Sequence, residues 1–495
     1  MSEKLLDKLP EVFVSTAETT MAVSRAVSHG RLRKIASRLY TKNMTDDPVQ
    51  LVRRNLWQIV SDYLPGALIA DRTAIENAPA KDGSVFLIAD SRREVSLPGI
   101  TLKPRKGPPP LDSDRPFIGQ LKLASMARAW LENMAVSRTR KGSVSRTLSR
   151  EEIEERLDTL LRRGGAEALN RLRDEARAIA ASLKMEENYQ KLDKLIGAFL
   201  GTREMKLETA QGQARRRETP FDPDRLKLFR TLHAELRAWP PTTRLEKPRN
   251  TRETSTLAFY EAYFSNFIEG TEFEVDEAAT IVFEGHIPEE RPEDAHDVLG
   301  TWRLVSDANE MKKLPRDAQT LEALLRDRHA VIMEGRPDKR PGQFKAASNR
   351  AGSTFFVAPD LVNGTLEQGF SLYQNLEAPF ARAVFMMFLV SEVHPFADGN
   401  GRIARVMMNA ELVSAGEERI IIPTVYRNNY LSALKAFSLN GHPEPLIRTL
   451  DFAQKWTGTV DWKDVKITQK LLQDCNAFLN PTTADQEGVR LRLPE

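Results

Sequence analysis

The chain reads as mainly α, with a small α+β region at its start, and three observations carry that reading. Capped amphipathic runs fill its middle. Ser149 precedes REEIEERLDTLLRR and Gly164-Gly165, with Glu152 at the third helical position, a capping box closed by glycines. A second run covers 167–183, and a third, RLKLFRTLHAELRAW, ends at Pro240-Pro241. Strand-like alternation is confined to short stretches near the start, and Arg105-Lys-Gly-Pro-Pro-Pro-Leu-Asp breaks periodic structure between the two regions.

In chain order, Ser15 and Glu18 offer a capping box for a helix running to about Ser28, ended by His29-Gly30. Residues 30–40 alternate imperfectly, as a short basic hairpin would. Arg25, Arg31, Arg33, Lys34, Arg38 and Lys42 fall in 25–42 without an acidic residue among them. Helix plus basic wing is a winged helix-turn-helix pattern over 1–48. This segment resembles the N-terminal domain of AbiEi-type antitoxin and regulator proteins. The stretches 65–74, 82–89 and 97–102 extend the likeness into an α+β region over 49–115. The resemblance implies duplex DNA as a partner. Ser24, Arg25, Ser28 and His29 would meet bases or phosphates, and Arg31, Arg33 and Lys34 would meet phosphates from the wing. Residues 116–240 then read as a helical connector whose charges are solvated helix faces. Arg215-Arg216-Arg217 is basic but isolated, and no function is assigned to it.

The densest chemistry lies in His394-Pro-Phe-Ala-Asp-Gly-Asn-Gly-Arg-Ile-Ala-Arg405, which packs a proton acceptor, a hard-metal ligand, a glycine turn and two guanidinium groups into twelve residues. Gly399 and Gly401 let backbone N–H groups close on an anion. A helix starting at about Arg402 would add its positive end, with Arg402 and Arg405 on one face. These residue types together point to phosphate chemistry. An imidazole suits a general base, and a carboxylate with phosphate oxygens suits Mg²⁺.

The segment resembles the Fic family, whose motif H-x-F-x-D/E-G-N-G-R-x-x-R is matched at His394, Phe396, Asp398, Gly399, Asn400, Gly401, Arg402 and Arg405. The resemblance implies an all-helical domain over 241–460 with a short β-hairpin flap. It also implies transfer of AMP from ATP to a Ser, Thr or Tyr hydroxyl of a protein target. His394 would be the base and Asp398 the Mg²⁺ ligand, while Asn400, the Gly399 and Gly401 backbone, Arg402 and Arg405 would hold phosphates. Phe396 would anchor the loop in the core. Upstream, Ser265-Asn-Phe-Ile-Glu269-Gly270 fits the family's inhibitory pattern S/T-x-x-x-E-G/N. Spacing i, i+4 places Ser265 and Glu269 on one helix face, with Gly270 just past the helix end. The resemblance makes Glu269 with Arg405 the autoinhibitory pair. Residues 340–359 look like the flap, with Asn349, Arg350, Ala351 and Gly352 at its tip. Tyr426, Tyr430 and Asn440 lie in the region that lines the nucleotide base in relatives. His329 reads as structural, and the apolar run 381–390 as a core helix, since a membrane span needs roughly twenty apolar residues.

Composition bounds the rest. The 495 residues allow about three domains. With 72 basic and 69 acidic side chains the net charge is +3, so any affinity for nucleic acid must be local. The single Cys475 excludes an intrachain disulfide and a cysteine-based zinc cluster, and the charged N-terminus is no secretory signal. Together these give a cytoplasmic reading with no membrane partner. No Walker A loop, H-E-x-x-H or G-x-S-x-G is found, and the tail after 461 carries no motif. Two classes of function compete. One is an autoinhibited adenylyltransferase using ATP and Mg²⁺ on a protein target, itself included, as monomer or homodimer. The other is an antitoxin-like DNA-binding regulator whose Fic part is a ligand-gated module, or performs another phospho-transfer or AMP removal.

Overall fold

A computed structural model describes residues 9–138, 142–216, 219–240, 242–351 and 354–494. The chain forms two compact units, Met1–Arg216 and Arg217–Glu495.

The first unit opens on a three-stranded antiparallel sheet of order β1–β3–β2, with β1 Val12–Val14, β2 Arg33–Ala36 and β3 Leu39–Thr41. The helix Thr20–Ser28 lies between β1 and β2 in the chain and buries Val23 and Ala26 against Phe13 and Leu32. The capping box expected at Ser15 does not form. The Ser15 N–H extends the sheet instead, donating to the Arg38 carbonyl at 2.7 Å, and the helix starts only at Thr20. A six-stranded mixed sheet follows, in the order β6–β7–β5–β4–β9–β8. Its strands are β4 Leu68–Ile69, β5 Ser84–Ile88, β6 Val95–Leu97, β7 Ile100–Arg105, β8 Arg115–Pro116 and β9 Lys122–Leu123. β5 is buried along its whole length, as a strand covered on both faces must be.

The helices Met126–Asn133, Arg150–Leu183 and Glu186–Phe199 build a further core of this unit. The Ser149 capping box is present, and Gly165 at φ 65° breaks the long helix where the glycine pair foretold an end. The reading of these charges as solvated faces fails at several of them. Arg128 and Glu132 are buried and paired at 3.0 Å, with Asp114 on the other side of the guanidinium at 2.8 Å. Glu154 is buried against Arg150 and the Thr209 N–H, and Asp158 takes Arg162 and Arg215. Arg215, left without a role by the sequence, therefore closes a buried ion cluster.

In the second unit the helix Pro223–Ala238 packs on Val362–Tyr373 and Pro379–Val393. Leu226, Phe229, Leu232 and Leu236 make its buried stripe, and Phe229 meets Phe385 and Phe388 at ring distances of 6.2 and 6.0 Å. The connector expected over 116–240 is thus divided between the units. The helix Pro379–Val393 is apolar on all sides and buried along nearly its whole length, and it forms a hairpin with Asn400–Ser414. The helix Thr251–Ile268, which carries the Ser265–Glu269 pattern, begins at an Asn250–Glu253 capping box. The segment after 461, expected to be a tail without a motif, supplies part of this unit's core. Phe478 meets Phe264 at 5.4 Å, and Tyr260 packs on Trp462 while donating its hydroxyl to the Val465 carbonyl at 2.7 Å. No helix among the described residues is long and apolar enough to cross a membrane.

Candidate active site

The His394 loop is held by residues that read no substrate. The helix Pro379–Val393 ends because His394 adopts φ 52° and Pro395 follows it. A non-glycine residue in that region costs of order 1 kcal/mol or more, so the surroundings must fix it. Phe396 is fully buried and lies flat on His329, with ring centroids 3.7 Å apart and planes within 3°. His329 Nδ1 accepts the Gly342 N–H at 3.0 Å, so its Nε2–H donates to the Asp398 carbonyl, also at 3.0 Å. Burial, opposed by the Asp398 bond, pulls this imidazole down to about 4 and keeps it neutral. Asn400 closes the loop: Phe396 N–H donates to its Oδ1 and its Nδ2 donates to the Phe396 carbonyl, both at 2.9 Å. Its amide, expected on phosphate, is spent as a staple. Gly399 at φ 73° caps the helix Asn400–Ser414, and a Cβ there would strike Met333 Sδ at 2.7 Å.

His394 turns its Nδ1 to the Ser391 carbonyl at 3.2 Å. Two lone pairs cannot face each other, so Nδ1 carries the hydrogen and Nε2 keeps a free pair. One ring face lies on Phe356 at 3.7 Å and 5°. Enclosure pulls the imidazole down to about 4; the Ser391 bond opposes that pull and the charge of Lys345 adds to it. It is therefore unprotonated at neutral pH. Asp398 is 45% exposed, and its Oδ1 accepts the Gly399 N–H at 2.7 Å, leaving Oδ2 for a cation.

The two arginines part company. Arg402 is buried beneath the loop, ion-paired with Asp297 at 2.5 Å and 3.9 Å from Asp398. Asp297 holds one end of its guanidinium, while its buried Nε has no hydrogen-bond partner among the described residues. Arg405 faces the cleft side, where its Nε donates to Ser265 Oγ at 3.0 Å and its Nη2 to the Ser265 carbonyl at 2.7 Å. The same Nη2 meets Glu269 Oε1 at 2.7 Å, although 136 residues separate the partners. Gly270 follows at φ 94° and ends the helix. The Glu269 carboxylate lies so close over Gly401 that a Cβ there would fall 2.1 Å from Oε1. It thus occupies the space at the positive end of the helix Asn400–Ser414 where an anion would be favoured.

These groups open on a cleft of about 420 Å³ lined by Glu269, His394, Gly401 and Arg405 at one end, and by Leu431, Leu434, Lys435 and Ser438 with Tyr430 at the other. Ser391, Glu392, Thr354 and Phe356 complete the wall. Tyr430 is fully buried, with its hydroxyl on Met387 Sδ at 3.3 Å. Tyr426 does not reach this cleft: it belongs to the short turn Thr424–Tyr426 and packs on Phe452 at 5.4 Å. Asn440 is exposed at the end of the helix Arg427–Asn440 and lines nothing here. The stripe 430, 434, 438 with 431 and 435 on one helical face could have revealed the lining residues from sequence.

The flap forms a two-stranded ladder, β10 Arg350–Ala351 with β11 Thr354–Phe355, and Gly352 lies outside the described residues. Arg225 ties the flap to the helix Pro379–Val393, donating to the Phe355 carbonyl and pairing with Glu392 at 2.5 Å, whose other oxygen accepts from Ser438 at 2.6 Å. Sequence reasoning missed Arg225 and Glu392 because no local pattern joins them.

In the first unit, Ser24, Arg25, Ser28, His29, Arg31 and Lys34 are exposed around the helix Thr20–Ser28 and β2. Ser28 Oγ donates to the Arg25 carbonyl at 2.8 Å, and His29 Nδ1 faces the same carbonyl at 2.6 Å. Arg33 is half-buried and donates to the Asp46 carbonyl at 3.1 Å, which removes one of its donors from the expected phosphate contact.

Residues 319–412 match the Fic/DOC family, so the chain carries a Fic domain. Protein adenylyltransferase Fic of Drosophila willistoni is 29% identical over 126 residues, 25% of this chain and 24% of the fly protein. The Drosophila yakuba protein of that name is 33% identical over 94 residues, 19% of each chain. The chain therefore spans a quarter or less of these relatives. Among solved structures, Fic-1 from C. elegans aligns at 18% identity and a TM-score of 0.35, covering 65% of this chain and 96% of that one. A Fic-domain signalling protein from Bacteroides thetaiotaomicron aligns at 19% identity and 0.36, covering 49% and 96%.

Proposed function

We propose that the chain is a restrained protein adenylyltransferase. The observation that carries this reading is the convergence on one cleft of the unprotonated His394 Nε2, the N-terminus of the helix Asn400–Ser414, and Arg405 occupied by Glu269. Nε2 takes the proton of a Ser, Thr or Tyr hydroxyl as its oxygen attacks the α-phosphorus of ATP. A P–O bond forms to the target, the bond to the leaving pyrophosphate breaks, and AMP stays on the protein. The Gly401 N–H and Arg405 receive phosphate charge once Glu269 withdraws. The names of the fly relatives support the choice of AMP.

Among the described residues no group of three or more His, Cys, Asp and Glu side chains gathers as a metal cage. One exposed carboxylate, Asp398, fits Mg²⁺ shared with phosphate oxygens, where the ion would neutralise charge on the leaving group. A cytoplasmic location belongs to the same reading.

Incubating Glu269→Gly with ATP labelled on the α- or the γ-phosphate tests the reaction. Label on protein from the α position alone is expected. Label from the γ position would make the domain a phosphate-transfer module, and none from either would reject the transferase.

The exposed basic surface around the helix Thr20–Ser28 and the β2–β3 hairpin supports a second role in the first unit, binding of duplex DNA in the manner of a winged helix. Affinity of the full chain for duplex DNA is then expected to fall steeply between about 50 and 200 mM salt. Absence of binding at low salt would remove DNA as a partner.

A further inference from the structure

We propose that Lys345 is a positioning residue that holds His394 in its working orientation and couples it to the flap; the assignment rests on the transferase reading above. Three carbonyls flanking His394 are gripped from the short segment 345–349. The Lys345 N–H donates to the Pro395 carbonyl at 2.8 Å. Its ammonium reaches the Val393 carbonyl at 3.5 Å and Asn349 Oδ1 at 2.7 Å. Asn349, its amide oriented by that ammonium, donates Nδ2–H to the Phe396 carbonyl at 2.9 Å. His394 stands between these anchors at φ 52°, a backbone state that persists only where neighbours over-determine it.

The same segment leads into the flap. The Phe356 N–H donates to the Asn349 carbonyl at 3.2 Å, and the Phe356 ring lies on the His394 imidazole at 3.7 Å. Lys345, Asn349, Phe356 and His394 thus close a ring in which a shift of the flap is felt at the base. Lys345 is 6% exposed, and burial, then the charge of Arg225, pull its amine down to about 7. Charged or neutral, the Lys345 nitrogen still donates to Asn349 Oδ1 and the Val393 carbonyl, whereas a methionine of similar length would fill the space and lose both side-chain bonds.

The test uses the full chain in the Glu269→Gly background, with self-labelling from α-labelled ATP as the rate and calorimetric titration with ATP as the affinity. Lys345→Met is expected to slow labelling at saturating ATP by about 10- to 100-fold, the scale of a misplaced catalytic group, with the ATP dissociation constant changed less than about two-fold. Lys345→Arg, which keeps a cationic donor, is expected to recover most of the rate. Should Lys345→Met fail to fold, Asn349→Ala reports the same coupling and is expected to slow labelling without weakening ATP. Label in the Glu269→Gly parent with an unchanged Lys345→Met rate, or rate and affinity lost together, would overturn the assignment alone. No label in that parent would overturn the transferase reading and this assignment with it.

Discussion

Replacing Glu269 with Gly is expected to raise incorporation of label from α-labelled ATP by about 10- to 100-fold over the parent protein. The size follows from what the carboxylate does in the resting structure. It holds Arg405 Nη2 at 2.7 Å and covers Gly401 closely enough to exclude even a methyl group. A phosphate that is to use either group must first displace it. Couplings of this kind between two mutually exclusive occupants are typically 1–3 kcal/mol, or about 5- to 150-fold. Arg405 itself is not expected to collapse in the variant, since Ser265 Oγ and the Ser265 carbonyl still hold its guanidinium. Glu269 stands at the end of its helix with Gly270 after it, so the substitution costs little helix stability. Unchanged melting temperature with a raised rate is the expected pair of results. Equal rates in parent and variant would reject the inhibitory role, and a rate that rises only with loss of thermal stability would mean that the variant acts by loosening the fold.

Adjacency decided what could be read in the chain. The motif residues 394–405 are contiguous, so their shared loop followed from glycine turns and helix spacing, and the structure gathers them at the junction of two helices. Within that loop, roles were less legible than identities. Asn400 and Arg402 carry the right donors for phosphate, yet the Asn400 amide is engaged by the Phe396 backbone and one end of Arg402 by Asp297, a residue more than a hundred positions away. Which donor is free depends on partners that only the fold supplies. The same holds for Arg128, Glu132, Glu154 and Asp158. Each looks like a solvated charge on its own helix, and each is buried against a partner outside that helix. At the far wall of the cleft, Asn440 fails for a geometric reason. Ten residues beyond Tyr430 it has turned about 280° around the helix, to a different face. Tyr426 fails because the helix has not yet begun there. Phe396 and His329, read as an anchor and a structural histidine, lie stacked under the loop.

His394→Ala in the Glu269→Gly background is expected to lower AMP transfer by about 10²- to 10⁴-fold, the contribution of a positioned general base. Binding of ATP should survive, because Gly401 and Arg405, not the imidazole, face the phosphates in the proposed arrangement. The pH profile gives an independent check on the role. A base acts only when unprotonated, and the folded environment holds His394 near 4 instead of the ordinary value near 6.5. The sign is therefore fixed: as pH falls, the rate should persist through 6 and 5 and decline only toward about 4, whereas an unperturbed imidazole would lose half its activity near 6.5. Burial is the first cause of that lowering, and the Phe356 ring covers one face of the imidazole. Phe356→Ala opens the ring to water and should move the acid limb upward while leaving the Ser391 bond, and so the tautomer, in place. An acid limb near 6.5 in the Glu269→Gly protein, or the same limb with and without Phe356, would remove the enclosed imidazole as the proton acceptor. A limb that rises only when Phe356 is lost would tie the reactivity of the base to the flap that covers it.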